Sequence, residues 1–175
     1  MSKEIVFVEG SPSPTSRSSH VARVVAARLK SEGFEIRTFS LRDFEPADVL
    51  FGRVETPQAQ SFLASVRDAA AIVLSTPVYK ATYAGGLKAI IDLVPPDALT
   101  GRPALGIATT RSEAHGLEVA RAYRALFAFF GAKVLESLVV LDAELRIEGG
   151  DVSFVGSAKQ RSDEATRSLL QSLAE

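Results

Sequence analysis

Residues 4–20 read Glu4-Ile5-Val6-Phe7-Val8-Glu9-Gly10-Ser11-Pro12-Ser13-Pro14-Thr15-Ser16-Arg17-Ser18-Ser19-His20. Glu4 to Val8 is a short apolar strand, and it gives way to a loop of Gly, Ser and Pro. From about Ser18 to Ser31 the residues Val21, Val24, Val25, Arg28 and Leu29 recur at helical spacing. The chain therefore opens strand, loop, helix. Gly33 ends that helix, and Phe34 to Ser40 sets Phe34, Ile36 and Thr38 against polar or charged neighbours, the pattern of a strand exposed on one side.

The alternation continues outward from this unit. Residues 41–57, with Asp43, Pro46, Gly52 and Pro57, have no clean period and read as a long connection into a helix from Gln58 to Asp68. Ala69 to Ser75 is an almost unbroken apolar run ending in Thr76-Pro77, which suits a central parallel strand covered on both faces. Gly85-Gly86 introduces a helix from Leu87 to Val94 that Pro95-Pro96 stops. Pro103 to Ala108 is a fourth strand, Thr109 to Glu113 a polar loop, and Ala114 to Phe130 a helix closed by Gly131. Lys133 to Leu141 supplies a fifth strand, Arg146 to Phe154 a hairpin around Gly149-Gly150, and Ser157 to Ala174 a last helix.

Five strands alternating with helices predict an α/β fold: a doubly wound, five-stranded parallel sheet in the flavodoxin-like order 2-1-3-4-5, with helices on both faces. With 175 residues and no linker or repeat, one domain spanning 1–175 is expected. In such sheets ligands bind beyond the carboxyl ends of the strands, where the order reverses between strands one and three. That directs attention to loops 9–19, 76–86 and 109–115.

Composition narrows the chemistry. Twenty Lys and Arg against 21 Asp and Glu give a net charge of −1, with no basic block to neutralise a row of phosphates, so no nucleic-acid partner is expected. The absence of Cys removes thiolate metal sites, iron–sulfur ligation and thiol nucleophiles, so redox chemistry would need a bound cofactor. His20 and His115, the two histidines, are too few for a histidine-rich metal site, and no metal is expected. No apolar run approaches the roughly 18 residues of a membrane span, and the first strand begins with no basic and apolar leader before it, so a cytoplasmic protein is expected.

The first loop has the makings of an anion site. A helix start leaves N–H groups unpaired, and Ser11, Ser16, Ser18, Ser19 and the Arg17 guanidinium surround this one. The same residues would also make an ordinary Ser/Pro turn with a Ser N-cap, but their place after strand one favours a phosphate monoester. Gly10 stands alone, so neither the G-x-G-x-x-G fingerprint nor a Walker loop is present, and a mononucleotide such as FMN is favoured over FAD or NAD. The second loop, Thr76-Pro77-Val78-Tyr79-Lys80-Ala81-Thr82-Tyr83-Ala84-Gly85-Gly86-Leu87-Lys88, offers a surface for a flat ring, or equally a strand-to-helix turn with Tyr79 and Tyr83 at the edge of the core.

Gly10-Ser11-Pro12, Ser16-Arg17-Ser18-Ser19, Thr76-Pro77-Val78-Tyr79-Lys80, Gly86-Leu87-Lys88 and Asp92 together resemble the NADPH-dependent FMN reductase family, nearest the flavin reductases that partner alkanesulfonate monooxygenases. The resemblance implies an FMN reductase using NADPH, or NADH, with Ser11 and Ser16 to Ser19 at the phosphate. It implies that Thr76 and Pro77 to Lys80 face the isoalloxazine and that Thr109, Thr110 and Arg111 flank its other side. It also implies a homodimer or homotetramer contacted through the helices near Gly85 and after His115, with a flavin-dependent monooxygenase as a possible acceptor. Two departures stand out: Thr109-Thr110-Arg111-Ser112 replaces a glycine pair, and Arg121, with Tyr123 close by, stands where sulfonate-linked members carry an inserted Tyr or His.

Hydride passing directly from nicotinamide C4 to flavin N5 needs no acid or nucleophile from the protein, so no catalytic residue is expected and Pro77, Val78, Tyr79 and Lys80 are positioning residues. Arg17, Lys80 and Arg111 are candidates for the additional NADPH phosphate. Asp142 and Glu144, beyond strand five, have no partnering base in the sequence and are expected to be exposed. The rival readings are an FMN-retaining quinone, azo-dye or metal-ion reductase of the same fold, and a flavodoxin-type electron carrier.

Overall fold

The structure, a computed structural model, describes residues 3–149 and 151–175. Its main sheet holds β1 (Glu4–Glu9), β2 (Glu35–Ser40), β3 (Ala71–Tyr79), β4 (Thr82–Tyr83), β5 (Pro103–Thr110), β6 (Lys133–Val134) and β7 (Leu138–Leu141). The order is β2-β1-β3-β5, with β6 and β7 both pairing parallel to β5. The fifth position of the expected order is thus filled by two segments separated at residues 135–137, and β4 is an addition, folded back antiparallel on the end of β3.

The helices are α1 (Arg17–Ser31), α2 (Pro46–Leu50), α3 (Pro57–Asp68), α4 (Gly85–Ile91), α5 (Glu113–Phe129) and α6 (Ala158–Ala174). Strand side chains alternate strictly between two cores. Ile5, Phe7, Val73, Leu105 and Ile107 pack with Val21, Val25 and Leu29 of α1 and Leu169 of α6. Val6, Val8, Ile72, Leu74 and Ala108 pack with Phe62 of α3, Leu87 of α4 and Tyr123 of α5. Period-2 burial on both faces is what a parallel sheet between two helical layers demands. The antiparallel pair β8 (Leu145–Glu148) and β9 (Asp151–Phe154) is the expected hairpin, although Gly150 at its tip lies outside the described residues.

Several boundaries move for identifiable reasons. Strand β3 runs on through Pro77 because Ser75 already receives the amide of Gly10 at 2.9 Å, and the Pro77 nitrogen falls on the same side beyond the end of β1. No ladder bond is lost there. Strand β5 likewise extends to Thr110, so Thr109 and Thr110 belong to a strand end and not to a loop. Helix α4 ends at Ile91, before the prolines, because Leu93 and Val94 turn their amides to Ile90 and Ile91 in tighter i−3 bonds. In the stretch read as a connection, Pro46–Leu50 forms α2, with Pro at its first turn.

Tyr123 ties the layers together. Its fully buried hydroxyl lies 3.1 Å from the carbonyl oxygens of both Leu74 and Ile107, on adjacent strands, and its ring stacks on Phe127 at 5.6 Å. Burial, assisted by neighbouring Tyr83, pushes this phenol well above its ordinary range, so it stays protonated and donates. A Cβ on Gly106 would come within 2.4 Å of the same ring, which is why β5 carries glycine there.

Candidate functional site

At the carboxyl end of the sheet a cavity of about 600 Å³ is bounded by the loop before α1, the end of β3, the end of β5 and the turn after β7. Strands one and three flank the reversal of strand order, so the crevice sits where the topology leaves room.

One wall is built of hydroxyls. Ser11, Ser13, Thr15 and Ser16 line it together with Arg17, the first residue of α1. The Ser13 amide donates to Ser11 Oγ at 3.2 Å and the Thr15 amide to Ser13 Oγ at 3.3 Å, which folds the loop around its own side chains. Ser16 occupies the N-cap position with extended backbone, but its hydroxyl does not cap the helix and lies 2.8 Å from Ser18 Oγ instead. The first turn of α1 therefore keeps its amides uncapped by any side chain, and the helix dipole adds a positive field there. Gly10 permits the loop to start, since a Cβ would sit 2.3 Å from Cβ of Leu87 in α4.

The facing wall is built of backbone. Strand β3 ends in a two-residue hairpin in which Val78 pairs with Tyr83 and Tyr79 with Thr82. Lys80 and Ala81 at its tip have φ of 52° and 66°, the left-handed region that a type I′ turn requires and that non-glycine residues occupy at a cost of roughly 1 kcal/mol each. Thr76 clamps the base: its buried hydroxyl donates to the Pro77 carbonyl and accepts the Ala84 amide, each at 2.9 Å. Pro77, Val78 and Tyr79 are thereby presented to the cavity, with Tyr79 about half exposed.

Thr109, Thr110, Arg111, Ser112, His115 and Asp142 complete the lining. The Ser112 amide and carbonyl both engage Thr110 Oγ1 at 3.3 Å, which fixes the turn into α5. Asp142 Oδ2 lies 3.7 Å from both Arg17 and Arg111. Its turn is held by Glu144, which accepts the Leu141 amide at 2.9 Å and pairs with Arg161 at 2.6 Å.

Of the residues the sequence nominated, Ser11, Ser16, Arg17, Pro77, Val78, Tyr79, Thr109, Thr110 and Arg111 converge on this cavity. Ser18, Ser19, Thr76 and Lys80 are not among its lining residues. Ser18, Ser19 and Thr76 are buried, and Lys80 stands exposed at the hairpin tip. Asp142 and Glu144, expected to be exposed, are instead partly buried ion-pair partners with side chains 26% and 19% accessible. Sequence reading missed Ser13, Thr15, Ser112, His115 and Asp142 as lining residues. Asp142 could have been found by counting it as the first residue past the fifth strand, a carboxyl-end position like the others. Arg121 pairs with Glu118 at 2.7 Å on the outer face of α5, away from this cavity. Among the described residues no cluster of His, Asp and Glu could hold a metal ion, and no helix is long and apolar enough to cross a membrane.

Residues 4–145 match the family model described as NADPH-dependent FMN reductase. An FMN reductase (NADPH) of Pseudomonas putida is 37% identical over 147 residues, covering 83% of this chain and 75% of that protein. An FMN reductase (NADPH) of Escherichia coli K12 is 31% identical over 170 residues, covering 97% and 89%. Among solved structures, an NADH:FMN oxidoreductase in its apo form superposes with a TM-score of 0.86 at 26% identity, covering 97% of this chain and 89% of that one.

Proposed function

The chain belongs to the NADPH-dependent FMN reductase family, and from that premise we propose that it oxidises NAD(P)H and delivers the electrons to FMN in the cavity at the carboxyl end of the sheet. The observation that carries this reading is the meeting, in one cavity of about 600 Å³, of an uncapped helix start bearing Arg17 with the strand end Pro77–Tyr79. The residues fit a phosphorylated flavin. The α1 amides, the Ser11, Ser13, Thr15 and Ser16 hydroxyls and Arg17 suit a phosphate, and the exposed backbone and Tyr79 ring suit a flat heterocycle.

When bound, FMN supplies the redox chemistry by accepting hydride from the nicotinamide. The protein's own part is positioning. The Arg17 guanidinium and the α1 amides would hold the dianionic end, leaving Pro77–Tyr79 to position the ring. The N–H groups of Val78 to Lys80 would stabilise negative charge on the reduced ring, and Thr109, Thr110 and the Arg111 stem would close the opposite side. Ser18 and Ser19 contribute to this scheme through their amides, and Thr76 through the shape it gives the hairpin. Lys80 and Arg111, both exposed, are available to the phosphate of NADPH, and NADH remains a substrate without them.

We further read the chain as a single domain that works in the cytoplasm as a homodimer or homotetramer and feeds reduced FMN to a flavin-dependent monooxygenase of the alkanesulfonate type. A net charge of −1 offers little field for steering a protein redox partner, which argues against a flavodoxin-type carrier. The test is steady-state NADPH oxidation with excess free FMN, run beside gel filtration of FMN-loaded protein. Sustained turnover on free FMN, with flavin lost on the column, is the expected result. Complete flavin retention, with oxidation only when a quinone or azo dye is added, would replace this reading by that of an FMN-retaining reductase.

A further inference from the structure

Asp142 is the one carboxylate among the described residues lining the cavity, and both guanidinium groups of that lining, Arg17 and Arg111, share its Oδ2 at 3.7 Å. The three residues come from separate segments: Arg17 opens α1 after the loop that follows β1, Arg111 directly follows β5 and Asp142 directly follows β7. At 3.7 Å neither contact is a hydrogen bond, and with Arg17 51% and Arg111 92% accessible the pairs add little to folding stability. Folding does not need them. The turn that carries Asp142 is held independently, by Glu144 receiving the Leu141 amide and Arg161 and by Arg161 Nε donating to the Val139 carbonyl at 3.3 Å. Asp142 is thus a fixed negative charge set between the two cations best placed to receive a phosphate.

Building on the proposed seating of the FMN phosphate at Arg17, we infer that Asp142 competes with that phosphate for the Arg17 guanidinium, which weakens the hold on FMN and keeps it an exchanging substrate. A phosphate dianion approaching Arg17 must draw the guanidinium from the carboxylate and then bear the like charge nearby. The hydroxyls and α1 amides recognise the ligand, while Asp142 limits its residence. A flavin without the phosphate does not meet this competition, so the effect is specific to the monoester.

The experiment compares the wild type, Asp142→Asn and Asp142→Glu by quenching of flavin fluorescence, titrating FMN and riboflavin at fixed ionic strength. Asp142→Asn should bind FMN on the order of tenfold more tightly, with riboflavin unchanged, and Asp142→Glu should behave as the wild type. If Asp142→Asn binds FMN as the wild type does, or more weakly, the competitor role is overturned while the phosphate site stands. If the wild type binds riboflavin as tightly as FMN, the phosphate site itself is wrong and the role of Asp142 falls with it.

Discussion

The two walls of the cavity solve the same problem by different means. The loop before α1 recognises through side chains: four hydroxyls and one guanidinium are gathered around a helix start that its own N-cap serine leaves open. The β3–β4 hairpin recognises through backbone shape, held by one threonine hydroxyl at its base and by two residues in left-handed conformation at its tip. The first wall can change its chemistry one residue at a time. The second can be changed only through its shape, at the clamp of its base or at the turn of its tip.

The contrast is open to attack at four points. Arg17→Ala removes the charged contributor from the side-chain wall and should weaken FMN binding about 10- to 100-fold while leaving riboflavin binding nearly unchanged, as read by parallel fluorescence titrations. Thr76→Val keeps the shape of the buried residue but leaves the Ala84 amide without its acceptor. It should cost about 1–3 kcal/mol in urea denaturation, because a buried donor is then unpaired. Equal loss of FMN and riboflavin affinity in that variant would mark the hairpin as a shape element and not a phosphate contact.

Replacing Lys80-Ala81 by Asn-Gly supplies the residues a type I′ turn prefers and should stabilise the protein by about 1–2 kcal/mol. FMN affinity should stay within about twofold, since the Lys80 side chain does not line the cavity. A large fall in FMN affinity would return Lys80 to the site. The smallest effect concerns His20, just past the hydroxyl wall. Burial, with help from Arg23 and against the pull of Glu9, holds its imidazole below the ordinary range. The unfolded chain takes up the proton more readily, so this contribution is present above the unfolded imidazole pKa and is lost progressively as pH falls from there through the lower folded one. A shallow acid-side loss of thermal stability that His20→Asn abolishes is the expected signature.

The same contrast explains how far the sequence could be read. The side-chain wall was legible because its residues are contiguous and their types state their chemistry, as in Ser16-Arg17-Ser18-Ser19 after an apolar strand. Which of those serines face inward was not legible. Burial of Ser18 and Ser19 follows from the helix's rotation against the sheet, which no local pattern records. The hairpin was hidden because Lys80-Ala81 lacks the Asn or Gly that signals a tight turn, so tertiary clamping through Thr76 overrides local propensity. Asp142 was hidden for another reason. Its partners lie 125 and 31 residues away in sequence, at the start of α1 and just past β5, and only the assembled sheet brings them together.

The parallel sheet between two helical layers followed from the alternation of strands and helices and from apolar runs such as Ala71–Leu74 that leave no face for solvent, and the flavodoxin-like order was the one that fits that strand count. The break between β6 and β7 and the extra strand β4 did not follow, since two-residue pairings leave no period to detect.

Amide chemical shifts of isotope-labelled protein titrated with FMN test the central claim most directly, because they report each N–H separately. The account requires that the Arg17, Ser18 and Ser19 amides move strongly downfield with FMN, weakly or not at all with riboflavin, and return on dilution. Shifts confined to residues outside the carboxyl-end cavity, with these three amides unmoved, would contradict it.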